Sequence, residues 1–263
     1  HMDYYQHMNA WEKKLYEHGL GGEILALEAV RVATTTTSFL AEKLRSKGKE
    51  VYVVRNQLSK QDVIWAADAL AKKVNSHKLS ANHPIRIGYL SGTPSHNKDF
   101  ATITGALVSI LEQYPMVKLV LAGPLDTESA LTHYTDRIER VPFVPRSELF
   151  GVIASLDINL APLEIDNPFC ESKSELKWFE AGIVSVPTIA SATQTFREAI
   201  TDGVDGYVAM TEAEWQEKLE HLITDSQARH AMGARAREAV LARYTTEATD
   251  SAYVEYLHRI LQK

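Results

Sequence analysis

From residue 85 onward, short apolar runs alternate with longer stretches in which apolar side chains recur every three or four positions. The runs IRIGYL, VKLVLA, INLAPL, VPTIAS and GYVAM carry β-branched and aliphatic residues and read as strands. ERVPFVP is a further short strand. Between them, DFATITGALVSILEQYP, SALTHYTDRI, SELFGVIASL and the segments around KWFEAG and TFREAI carry the helical period. Strands that are apolar throughout, separated by helices, predict a parallel sheet covered on both faces, an α/β Rossmann-like fold. The final third predicts two or three amphipathic helices whose Trp, Leu and Tyr stripes are core contacts.

The first third is less regular. Residues 3 to 31 predict two helices anchored by Trp11, Leu15, Ile24, Leu27 and Val30, interrupted at Gly19, Gly21 and Gly22. Val30 to Thr34 then reads as a strand, with Thr37 or Ser38 capping a helix striped by Phe39, Leu40 and Leu44. Gly48 ends that helix, and Val51 to Val54 is the next strand, which completes a strand–helix–strand unit. Gln57 to Lys78 predicts an amphipathic helix with Val63, Ile64, Ala67, Leu70 and Val74 on one side. The polar, proline-stopped SHKLSANHP, Ser76 to Pro84, reads as a linker. Two domains are expected, at residues 3–78 and 83–263.

Composition narrows the function classes. With 45% hydrophobic and 24% charged residues among 263, the chain has an ordinary globular balance. A net charge of −6 disfavours a general nucleic-acid surface, so an anionic small ligand needs a local basic patch. The single cysteine, Cys170, allows no internal disulfide and has no activating partner nearby in sequence, so it is a weak nucleophile candidate. No apolar run reaches the roughly 18 residues of a membrane span, and no secretory signal is visible. The opening His-Met reads as a cloning scar. No metal-ligand spacing, G-x-G-x-x-G, Walker loop or nucleophile elbow occurs.

In open parallel sheets ligands bind beyond the carboxyl ends of the strands. Those ends are Ser91 to Asp99, Gly123-Pro124, Val141 to Arg146, Leu163 to Lys173 and Ser191 to Thr195. In SGTPSHNKDF, Gly92 permits a close turn, and Thr93, Ser95, His96, Asn97 and Lys98 offer hydrogen-bond donors to phosphate or sugar oxygens. The plainer reading is a polar surface turn. In FCESKSELKWFEAG, Ser172 to Glu175 has the form of a capping box, with Ser172 as N-cap and Lys173 as the first helical residue. Lys173, Lys177, Glu180 and Val184 then share a helix face. Two ammonium groups near a positive helix end repel it unless an anion is bound. The plainer alternative, a solvated face with Lys177 paired to Glu180, leaves Lys173 unexplained.

These motifs, in this order from about Ile85 to Tyr256, resemble the C-terminal half of a GT-B glycosyltransferase of the group 1 type, family 4. IGYLSGTPSHNKDF resembles the family's first strand and phosphate loop, in the variant of bacterial polysaccharide-building enzymes. KLVLAGP resembles the next strand, and VPFVPRSELFGVIASLDINLAPL the base-contacting segment that leads into the active-site strand. SKSELKWFEAGIVSVPTIAS resembles the helix with the E-x7-E signature, and FREAITDGVDGYV the segment closing the donor site.

The resemblance implies a donor site formed by Gly92, Thr93, His96, Lys98, Phe143, Arg146, Ser172, Lys173, Lys177 and Glu180. Glu180 falls on the ribose-binding second glutamate. The first falls on Ser172, with Glu171 one residue away, so the donor-sugar role is unassigned and no catalytic residue is named. Lys173 or Lys177 takes the phosphate role of the family's arginine. The implied function is transfer of a sugar, with retention, from a nucleotide-diphosphate donor to a glycan or lipid-linked glycan acceptor. It needs no metal or other cofactor and no nucleic acid. The expected location is the cytoplasm, peripheral at the inner membrane. Residues 3–78 then correspond to a remnant of the N-terminal acceptor domain and hinge, and the chain to a truncated enzyme. Two alternatives stand beside this reading: a non-catalytic nucleotide-sugar-binding or partner-docking module, and a GT-B-fold sugar-nucleotide epimerase.

Overall fold

The computed structural model describes residues 10–11, 20–77, 84–92, 97–127, 129–248 and 251–262. These form two compact units, one of residues 1–55 with 250–263 and the other of 56–249.

The smaller unit contains α1 (Leu20–Ala26), β1 (Val32–Thr35), α2 (Ser38–Arg45) and β2 (Glu50–Val53). The strands pair in parallel, with Val32 opposite Glu50, as the strand–helix–strand pattern requires. Thr37 caps α2, its Oγ1 accepting from the Leu40 amide at 3.2 Å. The C-terminal helix, Ser251–Leu261, lays Tyr256 against Tyr52 of β2 with ring centroids 4.8 Å apart. Ile24 and Leu27 are exposed rather than anchoring, because α1 is only two turns long. The first of the two expected N-terminal helices falls almost wholly outside the described residues.

The larger unit opens with α3 (Lys60–His77), which packs on α6 (Arg146–Ala154). The junction between units therefore precedes α3, and does not follow it at the polar stretch near residue 80. Part of that stretch, 78–83, lies outside the described residues. The buried face of α3 is only in part the expected one, with Val63 packed against the core. Asp62, Ala66 and Ala69 are buried, whereas Ile64 is exposed. Small Ala66 and Ala69 let the helix approach closely, and two polar residues in the same register, Asp62 and Lys73, accompany them inward.

Six parallel strands follow: β3 (Ile85–Leu90), β4 (Val117–Ala122), β5 (Ile138–Val141), β6 (Ile158–Ala161), β7 (Thr188–Ser191) and β8 (Tyr207–Ala209). Their spatial order is β5-β4-β3-β6-β7-β8. This is the doubly wound order, with its reversal between β3 and β6. Neighbouring residues on one strand serve opposite cores. On β4, Val120 joins the layer containing Phe150, Trp178 and Tyr244, while Leu119 and Leu121 join that containing Phe100, Ile110 and Trp215. β6 and β7 are buried at every position, which explains why their burial does not alternate, and their polar residues Asn159, Thr188 and Ser191 are hydrogen-bonded inside.

The connecting helices depart from the sequence pattern in two places. The helix expected across DFATITGALVSILEQYP is two, α4 (Asn97–Ala101) and α5 (Thr104–Gln113). Thr102 Oγ1 donates to the Asp99 carbonyl at 2.6 Å, satisfying a backbone acceptor that helix continuation would have used. SALTHYTDR forms 3₁₀ turns kinked at Tyr134 instead of an α-helix. The remaining helices are α7 (Pro168–Glu171), α8 (Leu176–Gly182), α9 (Gln194–Ala199), α10 (Glu212–Thr224) and α11 (Ser226–Arg243).

Gly123 closes β4 at φ 82°, where a Cβ would lie 2.0 Å from the Ser91 carbonyl oxygen. Both the left-handed backbone and the contact with main chain demand glycine. Gly123→Ala is expected to cost about 2–4 kcal/mol, seen as a lower urea midpoint. An unchanged midpoint would refute the fit.

Candidate functional site

The carboxyl ends of β3, β4, β5 and β6 surround a cavity of about 530 Å³ at the point where the strand order reverses. Ser91 and Gly92 form its wall after β3, Gly123 after β4, and Pro142, Phe143 and Val144 after β5. Lys173, Ser174, Leu176, Lys177 and Glu180 close the side beyond β6. Of the ten residues expected at a donor site, six line the cavity: Gly92, Phe143, Arg146, Lys173, Lys177 and Glu180. Lys98 is exposed on α4 and Ser172 ends α7; neither is part of the wall. Thr93 and His96 lie outside the described residues.

The segment 167–182 folds differently from the expected capped helix. Asn167, not Ser172, is the capping side chain: its Oδ1 accepts from the Phe169 amide at 3.0 Å and starts α7 with Pro168 at its first turn. Ser172 terminates that turn, and its hydroxyl donates to the Phe169 carbonyl at 2.7 Å. The main helix, α8, begins only at Leu176. Glu175 cannot close a capping box because its carboxylate is buried and accepts from the Tyr244 hydroxyl at 2.7 Å. Lys173 is therefore a loop residue. Asn159, a lone polar residue on β6, secures α8 by donating to the Lys177 carbonyl at 3.1 Å and to Thr188.

The charges have specific partners. Lys173 Nζ lies 2.7 Å from Asp99 Oδ2, and Asp99 is buried. The Lys177 ammonium donates to the Leu90 carbonyl and stands 4.8 Å from the Tyr89 ring centroid. Burial, reinforced by the Lys173 charge and offset by Glu180 and Asp99, lowers the Lys177 pKa to about 8. Glu180 Oε1 accepts from Arg146 Nη1, while Arg146 Nε binds Asp62 Oδ1 at 2.9 Å. Burial pushes the Glu180 carboxyl upward, with Arg146 and Lys177 opposing it. The Lys177–Glu180 pairing of the plainer alternative is thus not formed; Glu180 bonds Arg146 instead. Among the described residues Glu180 Oε2 makes no hydrogen bond, and the side chain borders the cavity.

Cys170 is buried beside Asp99, with Sγ 3.2 Å from Oδ1; burial and that carboxylate push its thiol up to about 12. A thiol held protonated is a poor nucleophile. Ligand atoms of Asp99, Glu164 and Cys170 fall within 4.8 Å of one another, a spacing a cation could bridge. The Lys173 ammonium already neutralises Asp99 and the thiol keeps its proton, so this cluster does not suit a metal.

The profile of the glycosyl transferase-like family matches residues 105–253, more than half of the chain. The chain belongs to that family. Its fold is shared with HepE (Alr3699) from Anabaena, solved with UDP and glucose, at a TM-score of 0.67 and 14% identity over 87% of this chain and 63% of that one. Sucrose-phosphate synthase from Thermosynechococcus elongatus superposes at 0.66, with 20% identity over 98% of this chain and 64% of that one. A glycosyltransferase from Rickettsia africae superposes at 0.67, with 12% identity over 97% and 68%. The chain spans less than two thirds of the HepE and sucrose-phosphate synthase structures. No curated protein matches the sequence.

The neighbourhood of Ser172, where the resemblance implies an acid, is informative. Glu171 Oε2 accepts from the Gln194 amide at 2.9 Å, at the start of α9 and away from the cavity wall. It therefore does not substitute for an acid at position 172. Two residues that organise the site escaped sequence reasoning. Asn159 could have been found as the one amide in an apolar strand. Asp62 could have been found from Ser59 and Asp62, a cap signature three residues apart.

Proposed function

We propose that this protein binds a nucleoside-diphosphate sugar in the cavity and transfers the sugar to a growing glycan. The observation that carries the reading is the meeting of two ammonium groups, Lys173 and Lys177, with the carboxylate of Glu180 around one cavity at the sheet's reversal point. Family membership and the UDP held by the HepE structure agree with it. The diphosphate lies along Gly92 and the two lysines, which neutralise the charge that develops on the leaving group. Lys177 gains most from this, because a buried ammonium near a second cation is costly until an anion arrives. Glu180 accepts the ribose hydroxyls, and the exposed Phe143 with its neighbours offers an apolar wall to the base.

The reading extends to retention of configuration, with the leaving phosphate assisting the acceptor hydroxyl, and to a glycan or lipid-linked acceptor at the inner membrane. No helix among the described residues is long and apolar enough to cross a membrane. The β1–α2–β2 unit is proposed as the remnant of an acceptor-side domain, since a two-stranded sheet is too small to form such a domain alone. One observation favours a binding module instead: both Ser172 and Glu171 are engaged by backbone groups and leave the donor sugar without an acid there. Turnover of a donor sugar by the full-length protein separates the two readings.

Glu180→Gln tests the ribose role. The expected loss of ribonucleoside-diphosphate affinity is roughly tenfold or more by calorimetry, with little change in melting temperature. A complex with Glu180 beyond ~4 Å of every ribose oxygen would reject the assignment.

A further inference from the structure

Asp62 lies outside the cavity wall, on the first turn of α3, yet it is only 7% exposed. Its two carboxylate oxygens have separate tasks. Oδ2 accepts from the Ser59 amide at 2.9 Å and the Ser59 hydroxyl at 2.8 Å, and the Asp62 amide returns a bond to Ser59 Oγ at 3.1 Å. That reciprocal pair fixes the side chain to the helix start. The helix start is itself held: the Leu58 amide donates to the Tyr244 carbonyl at 2.7 Å and the Leu58 carbonyl accepts from the Thr246 amide at 3.1 Å. Oδ1 is left to receive Arg146 Nε at 2.9 Å, and Arg146 turns its Nη1 to Glu180 Oε1.

We propose that Asp62 is a positioning residue for the nucleotide site: by holding Arg146 against one oxygen of Glu180, it aims the other oxygen into the cavity for the ribose. This rests on the ribose role of Glu180 proposed above. Burial alone favours a protonated Glu180, whose acid proton would occupy one acceptor site. The charged groups acting on it are Arg146 from α6, Lys177 from its own helix and Asp62 from α3. Burial also opposes ionisation of Asp62, but bonds from Arg146 and Ser59 overcome it and keep that carboxylate charged. In this reading Arg146 acts through Glu180: its Nε and Nη1 are engaged by the two acids, and the lysines carry the diphosphate.

The test compares the tightest binder among UDP, GDP and ADP with the 2′,3′-dideoxy form of the same nucleotide, titrated into the wild-type chain and its variants. Asp62→Asn keeps a carbonyl oxygen for Ser59 but turns N–H groups toward the guanidinium. Its preference for the ribose form should fall about tenfold, with dideoxynucleotide affinity unchanged. Arg146→Gln should lose the same preference while leaving the Ser59–Asp62 turn intact, so it carries the test if Asp62→Asn does not fold. In either variant, raising the pH should restore part of the ribose preference, because a higher pH ionises a Glu180 that Arg146 no longer holds in place. Deprotonation of Lys177 as the pH rises weakens both nucleotides alike and cancels in the ratio. A mere packing defect would not produce a pH-dependent ratio. Full ribose preference in both folded variants overturns the positioning role alone. Absence of ribose preference in the wild type overturns the Glu180 assignment, and the positioning role falls with it.

Discussion

Replacing Lys173 and Lys177 together with alanine should weaken nucleoside-diphosphate binding by about 2 kcal/mol or more, since charge-assisted hydrogen bonds contribute roughly 1.5–3 kcal/mol each. The two lysines differ in what their loss leaves behind. Lys177 donates to the Leu90 carbonyl at the cavity edge, where water can replace it. Lys173 leaves Asp99, 2% exposed, without its ammonium, so part of the double variant's defect belongs to folding. Repeating the measurement with Asp99→Asn and Lys173→Met, against Lys177→Ala alone, separates affinity from stability. The pH profile offers a second readout. An anion raises the pKa of Lys177 from its starting value of about 8, so binding takes up protons. Affinity should therefore be greatest below pH 8 and decline as pH rises through the pKa in the complex. Lys177→Ala should remove that decline. Unchanged affinity in the double variant by calorimetry would dispose of the phosphate assignment.

The question raised by two lysines close to a helix start has an answer that local spacing could not supply. Lys173 is balanced by Asp99, 74 residues earlier, because β3 and β6 are neighbours in the sheet. Strand order was not available from the pattern, although the strands were: an apolar run such as INLA announces burial on both faces wherever it sits. The S-x-x-E signature at 172–175 misled because both of its members are claimed elsewhere. Ser172 bonds back to Phe169, and Glu175 meets Tyr244 from the far end of the chain. A capping motif states only what local bonds are possible; a buried long-range hydroxyl decides which are made. The α3 stripe was only partly right for a related reason. Hydrophobicity selected Ile64, whereas the contact with α6 selected the small side chains, and the acid that travels with them reaches the site. The candidate site was therefore legible in its strand ends and in Lys173, Lys177 and Glu180, but the bonds that orient those groups were not.

Trp178→Ala should produce the largest loss of stability, about 3–5 kcal/mol, within a total of about 5–15 kcal/mol for a domain. The indole is wholly buried, donates from Nε1 to the Asp205 carbonyl at 2.9 Å, and meets Tyr244 edge-on with centroids 5.4 Å apart. Alanine leaves both a cavity and an unpaired buried acceptor. Yet Trp178 follows Lys177 directly, about 100° around the helix, and faces the core rather than the ligand. Asn159 continues to hold the Lys177 carbonyl after the substitution. The folded variant should therefore bind nucleotide within about threefold of wild type, a difference of under 1 kcal/mol. Nucleotide at a hundred times Kd should stabilise both proteins by about 2.7 kcal/mol, so ligand recovers much of what the core loses. Denaturant melts of both proteins, with and without the tightest of UDP, GDP and ADP, measure the two quantities. Loss of the ligand increment in folded Trp178→Ala would show that the indole also positions Lys177. An unchanged midpoint would contradict its place in the core.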